Sequence, residues 1–413
     1  MTVGRISVLL VILAASPLRA QTPDRPEDLA RWSVVPSIQA LAVYEDNLLV
    51  TAEPTTKGAF GRLTPSLTTR YRGPLGFFDA GYAFDSERHK RELKILDSML
   101  ARQIGTMNFE SRPTERSSVS GHMRYLSTTR PEEVLEETGL VASERRTTSL
   151  FANVVTERKT SEASRASVGY TATVDDFGQA TESRPGARSI LQSAFVGLRR
   201  QRSERMTIGG EYDVKLLNGE ERTFRAVTDG VFWSHSAGVR LTESLAPHVS
   251  LSVFAGPRYA QTVPATIVPA TVIPIDWQLK PEVRASLTYR NLDNFLSITY
   301  ARSQETGYGA SGFIDTESIE LRGARVVARR LQLAGRPAFY RNALAGKRAD
   351  SYRLEGTAHY VISSWLTLDG VFSYRYQNRA LALSDLEVTS VGQSRKRTRA
   401  AVGMTLQRPI SMK

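Results

Sequence analysis

Apolar and polar residues alternate with a period of two along most of this chain. In the cleanest run Trp277, Leu279, Pro281, Val283, Ala285, Leu287 and Tyr289 form one face. Gln278, Lys280, Glu282, Arg284, Ser286 and Thr288 form the other. A helix would spread these charges round its circumference, whereas an extended strand collects them on one side. The pattern recurs where Met206, Ile208, Tyr212 and Val214 alternate with Thr207, Gly209, Glu211 and Asp213, and where Leu366, Leu368, Phe372 and Tyr374 alternate with Thr367, Asp369, Ser373 and Arg375. Strands are predicted over 33–44, 62–72, 76–86, 97–110, 117–127, 147–157, 165–176, 189–200, 205–216, 227–242, 248–260, 275–290, 294–303, 317–328, 331–341, 351–362, 366–377 and 395–408. The fourth, sixth, eighth and fourteenth alternate poorly, and His235 and Arg325 fall on otherwise apolar faces.

The connections alternate too. One set is short, such as Gly73-Pro74-Leu75, Asn291-Leu292-Asp293 and Arg329-Arg330. The other is mostly long: 45–61, 87–96, 128–146, 177–188, 261–274, 304–316, 342–350 and 378–394, with 217–226 intermediate. Short periplasmic turns, long extracellular loops and an apolar face closed by Tyr and Trp characterise outer-membrane barrels. The predicted fold class is therefore all-β: a transmembrane antiparallel up-and-down barrel of about 18 strands, or 16 if one weak hairpin is a loop.

Four segments complete the domain plan. Residues 1–20 carry Arg5, an apolar stretch from Ile6 to Ala15 and a small residue, Ala20, before the expected cut, as in a signal peptide. Residues 21–32 read as a short polar periplasmic lead, 33–408 as the barrel and 409–413 as a periplasmic tail. The Pro-rich run from Val263 to Ile275 is no central strand, because its prolines remove ladder donors. It is an ordinary outer loop or a constriction folded into the lumen.

Export changes how the charge is read. The net charge of +12 becomes +10 once Arg5 and Arg19 leave with residues 1–20. In a cytoplasmic protein this would suggest nucleic acid. Outside the cytoplasm the anionic partners expected are lipopolysaccharide phosphates, acidic polysaccharides or small anionic solutes. Cysteine is absent, so neither a disulfide scaffold nor an acylated-cysteine anchor is available. A closed barrel supplies stability instead, since every strand pairs on both sides.

Candidate chemistry lies in the arginines. The histidines His89, His122, His235, His248 and His359 show no ligand spacing, and no Ser/His constellation is evident, so neither catalysis nor a metal or cofactor is expected. Gly307 to Gly312 matches a phosphate loop by letters only, with no helix after it. By period-two facing, Arg70, Arg72, Arg124, Arg240, Arg258, Arg284, Arg322, Arg336, Arg353, Arg375, Arg397 and Arg399 line the lumen. Asp79, Asp85, Asp175, Glu211, Asp213, Glu282, Glu320, Glu355 and Asp369 oppose them. Unpaired, such arginines bias a pore toward anions; paired, they hold a polar interior together.

At the amino end, Val35-Pro36-Ser37-Ile38 leads through Tyr44-Glu45-Asp46-Asn47 to Leu63-Thr64-Pro65-Ser66-Leu67. This resembles the opening of a family of outer-membrane β-barrel porins found beside exopolysaccharide gene clusters. The resemblance in motif covers about residues 33–72. It implies an outer-membrane conduit for an exopolysaccharide, working with a periplasmic polysaccharide export protein. Two other readings stand beside it: a general or anion-selective porin for small solutes, and a surface-binding barrel with a closed lumen.

Overall fold

The computed structural model describes residues 32–47, 57–89, 98–130, 133–134, 136–140, 146–178, 186–222, 227–262, 276–306, 313–344, 347–378 and 394–412. Its strands are β1 (Trp32–Glu45), β2 (Gly58–Gly73), β3 (Gly76–His89), β4 (Ser98–Thr114), β5 (Ser117–Thr128), β6 (Thr147–Lys159), β7 (Ser164–Asp176), β8 (Gly186–Gln201) and β9 (Met206–Arg222). The second half comprises β10 (Val227–Ala246), β11 (Val249–Thr262), β12 (Asp276–Arg290), β13 (Asn294–Thr306), β14 (Phe313–Ala328), β15 (Leu331–Leu344), β16 (Lys347–Val361), β17 (Leu366–Gln377) and β18 (Arg395–Gln407). Each strand pairs antiparallel with its neighbours in chain order. β18 returns to β1, with Ser37 opposite Gln407 and Glu45 opposite Arg399. The barrel is closed, and each of these 18 strands pairs on both sides.

The four weakly alternating segments are strands as well. Register shifts mark the ends of two of them, where β4 is offset against β3 between Asp85 and Glu87 and β14 against β15 between Val326 and Ala328. Several loop-end boundaries extend beyond the sequence expectation. β9 and β10 pair out to Arg222 and Val227, so most of 217–226 is strand, and β15 and β16 take up most of 342–350. At the other end, where 409–413 is expected as a tail, Ile410–Met412 forms a short β19 on the start of β1. Pro409 separates it from β18, as a residue without an N–H does. The expected signal peptide, residues 21–31 of the lead, and the segments 263–275 and 307–312 lie outside the described residues.

The polarity of the barrel is inverted relative to a water-soluble protein. Glu45, Arg258 and Glu282 are 0%, 2% and 1% exposed, while Leu279 and Val168 are 71% and 59% exposed. Charged side chains filling the interior and aliphatic ones covering the outside suit a hydrocarbon surround and a polar lumen. Rings bound this apolar band at both ends. Trp32 and Tyr71 pack 5.0 Å apart at the turn end, and Tyr259 stacks on Trp277 at 4.5 Å toward the loop end. His235 belongs to that second group. Its Nδ1 lies 2.8 Å from the Tyr212 hydroxyl and its ring stacks between Trp233 and Trp277, which accounts for a histidine on an apolar face.

Facing sets the cost of a charge. Ile298 is exposed on the outer face, and its neighbour Thr299 turns inward. Ile298→Lys is expected to destabilise the barrel by about 2–4 kcal/mol in lipid vesicles, with Thr299→Lys close to neutral. Urea titrations followed by tryptophan fluorescence check this; equal costs would overturn the assignment of faces.

Candidate functional site

The lumen is crossed by one of its own loops. The β5–β6 connection leaves Thr128 and turns immediately, with the Glu133 amide donating to the Arg130 carbonyl at 3.0 Å. At this root Arg130 donates to both oxygens of Glu87, at 3.0 and 3.2 Å, and lies 4.0 Å from Glu45. Glu87 also accepts from Arg62 Nε at 3.0 Å, and Glu133 pairs with Arg102 at 3.0 Å. All of these partners stand on β1 to β4.

The tip docks elsewhere. Asn342 Nδ2 on β15 donates to the Thr138 carbonyl at 2.7 Å, and the Ser351 hydroxyl on β16 reaches the same oxygen at 3.5 Å. Glu136 faces Arg353 on β16 at 3.7 Å. Gly139 lies against the Tyr340 ring with φ of +62°. A Cβ there would meet the ring at 2.3 Å, so the close approach and the left-handed backbone both call for glycine. β15 lies ten strands from β5 in one direction and eight in the other, so the segment spans the barrel from wall to wall. Thr138 and Leu140 are buried in this crossing.

The loop separates three groups of lumenal charge. Near its root, Glu45 accepts from Arg397, and Arg62 lies 3.5 Å from Asp85. Near its tip, Glu320 holds Arg322 and Arg336, while Glu355 accepts from Arg353 and Arg375. On the β9–β14 wall Arg240 grips Glu211 through two bonds of 3.0 and 2.9 Å, Arg258 and Lys280 share Asp315, and Arg284 pairs with Glu282. Arg72 stands at the turn end of β2, half-exposed and bidentate with Asp79, and Arg70 lies beside it in sequence on the same face. Nε and Nη2 of Arg124, and Nε of Arg399, are buried with no hydrogen-bond partner among the described residues.

Three loop carboxyls respond differently to this field. Burial works against the charge of Glu133, but the guanidiniums of Arg102, Arg130 and Arg399 outweigh it and hold the group well below the usual carboxylate range. Burial likewise opposes the charge on Glu136, and Arg353, Arg124 and Arg336 overcome it. Glu137 goes the other way: the like charge of Glu305, then burial, then a hydrogen bond with Glu305 push it well above its ordinary value, against the pull of Lys215. Its raised value belongs to the docked loop, so docking is strongest below the ordinary carboxylate pKa and weakens as pH rises through the raised one. Conductance is therefore expected to fall as pH is lowered from neutral, while the Glu133 and Glu136 pairs stay charged. Glu137→Gln should remove that dependence in planar bilayers; an unchanged titration would refute the assignment.

Sequence reasoning missed Arg62, Arg102, Arg130 and the three loop glutamates. Arg62 shares the even-numbered phase of Arg70 and Arg72, so the period could have found it. Arg102 is hidden by the irregular alternation of β4, and the loop residues carry no periodicity at all. Two histidines find partners: His122 Nδ1 meets Asn108 Oδ1 at 2.6 Å, and His359 Nδ1 meets Asp369 Oδ1 at 2.5 Å. Among the described residues no group of three His, Cys, Asp or Glu is placed to hold a metal.

No protein-family model matches the chain, and no curated protein does. Among solved structures it is similar to OccAB4 of Acinetobacter baumannii, with a TM-score of 0.46 and 10% identity over 94% of this chain and 100% of that one. A BenF-like porin from Pseudomonas fluorescens Pf-5 gives 0.46 and 11% identity over 93% and 100%. OpdQ of Pseudomonas aeruginosa gives 0.44 and 10% over 94% and 100%. Likenesses this distant carry no weight for function.

Proposed function

We propose that this protein is an outer-membrane channel for small anionic solutes, its long loops outside the cell and its short turns in the periplasm. The reading rests on one observation above all: Arg124 and Arg399 offer buried guanidinium nitrogens to the lumen with no protein partner among the described residues. Guanidinium nitrogens that no carboxylate holds by a direct hydrogen bond favour anions in a narrow polar passage. Arg240, Arg258 and Arg375, by contrast, are tied to carboxylates and act as framework. A polysaccharide conduit is the weaker reading. A linked chain of sugars would have to thread past a loop fastened at both walls, a demand that a small solute does not make.

Reversal potentials across a salt gradient test the proposal. The purified barrel in planar bilayers should favour chloride over potassium, and replacing Arg124 and Arg399 together by Ala should move the reversal potential toward zero. Cation preference, or no conductance, would overturn it. A clean deletion strain separates the alternatives further: slowed uptake of small anions with normal exopolysaccharide is expected, and loss of polymer with normal uptake would restore the conduit.

A further inference from the structure

The place where the loop docks has the composition of a ligand site, and the loop fills it with ligand-like groups. On the wall, Arg322, Arg336, Arg353 and Arg375 face two strand carboxylates, Glu320 and Glu355. Glu136 of the loop supplies a third. Beside Arg353 the wall presents further donors. Asn342 Nδ2 and the Ser351 hydroxyl are directed at the Thr138 carbonyl. The Tyr340 hydroxyl and Arg353 Nε are buried with no hydrogen-bond partner among the described residues, and these two residues are 3% and 5% exposed. The ring of Tyr340 is covered by Gly139, which has no side chain.

We infer that this wall patch is a binding site for a polyhydroxylated carboxylate of the sugar-acid class, and that residues 136–139 of the loop occupy it as a built-in substitute. The inference rests on the proposed anion channel and deepens it. The match is group by group. The Glu136 carboxylate, 3.7 Å from Arg353, stands where a solute carboxylate could close in to a charge-assisted hydrogen bond. The Thr138 carbonyl accepts the two hydrogen bonds that solute hydroxyls or a ring oxygen would accept, and Gly139 lies against the Tyr340 ring, where the C–H side of a sugar would pack. Tyr340 Oη and Arg353 Nε are the donors the substitute leaves unused, and a real solute would gain from both. Solute and loop tip therefore compete, so binding releases the tip and widens the passage.

The full chain in planar bilayers tests this, with sodium glucuronate as probe and glucose and acetate as controls lacking the carboxylate and the hydroxyls respectively. Glucuronate should alter the current with a half-saturation that E136Q lowers about tenfold, by weakening the competitor, and that Arg353→Gln raises by at least as much. Glucose and acetate should show neither effect. An unchanged half-saturation in E136Q, or an equal response to acetate, overturns the inference while an anion-selective reversal potential leaves the channel intact. Cation selectivity in the same membranes would remove both.

Discussion

Asn342→Leu is expected to raise the single-channel conductance several-fold. Asn342 is completely buried; its Nδ2 donates to the Thr138 carbonyl at 2.7 Å and its Oδ1 accepts from Thr316 at 2.9 Å. Leucine keeps the bulk and removes both bonds, leaving the Thr138 carbonyl with the longer Ser351 contact at 3.5 Å. A buried polar atom that loses its better partner costs about 1–3 kcal/mol. The loop can escape its share of that cost by undocking, so the loss of the Thr138 bond falls on the docked state, while the loss of the Thr316 bond falls on the barrel in either state. At about 1.4 kcal/mol for each factor of ten, the docked-to-released ratio falls by one to two orders of magnitude. The strand pairing of β15 is untouched, so barrel stability should fall by no more than the single Thr316 hydrogen bond, about 1 kcal/mol. Unchanged conductance in a folded Asn342→Leu barrel would mean that the crossing is not held by this bond.

The second large effect concerns the root of the loop. Glu87→Ala should destabilise the whole barrel by about 3 kcal/mol or more, because it leaves two buried guanidiniums facing one another. Arg62 and Arg130 both rely on Glu87, and these side chains are 6% and 4% exposed. Without it Arg62 keeps Asp85 at 3.5 Å, whereas the carboxylate of Glu45 stands 4.0 Å from Arg130. Pairing Glu87→Ala with Arg130→Met removes the more distantly matched cation and should recover part of the loss, since an apolar replacement of a buried ion pair is often close to neutral. Equilibrium unfolding in lipid vesicles gives both numbers. A loss below about 1 kcal/mol for the single variant, the range of a solvated pair, would show that water reaches these groups.

How far the lumen could be read beforehand depends on where its residues sit. Arg240, Arg258 and Arg353 lie on regular strands, and the alternation that puts Trp277 and Leu279 outside puts such residues inside. Their counter-ions were less accessible. Arg240 meets Glu211 on the adjacent strand, but Arg258 meets Asp315, 57 residues away and three strands distant. Facing is legible because it is local; pairing across the interior is not.

The sequence alone therefore determined the strands, their number to within one hairpin, which face meets lipid and the closure into a barrel. Each of these comes from the two-residue repeat of an extended backbone and from the need to pair every strand on both sides. The tertiary structure decided the path of the β5–β6 loop. Arg130 finds Glu87 at a separation of 43 residues and Asn342 finds Thr138 at 204. No periodicity encodes such contacts. They arise only once the closed wall brings β3, β15 and β16 round to face the loop, and complementary charge and shape then select the segment that crosses.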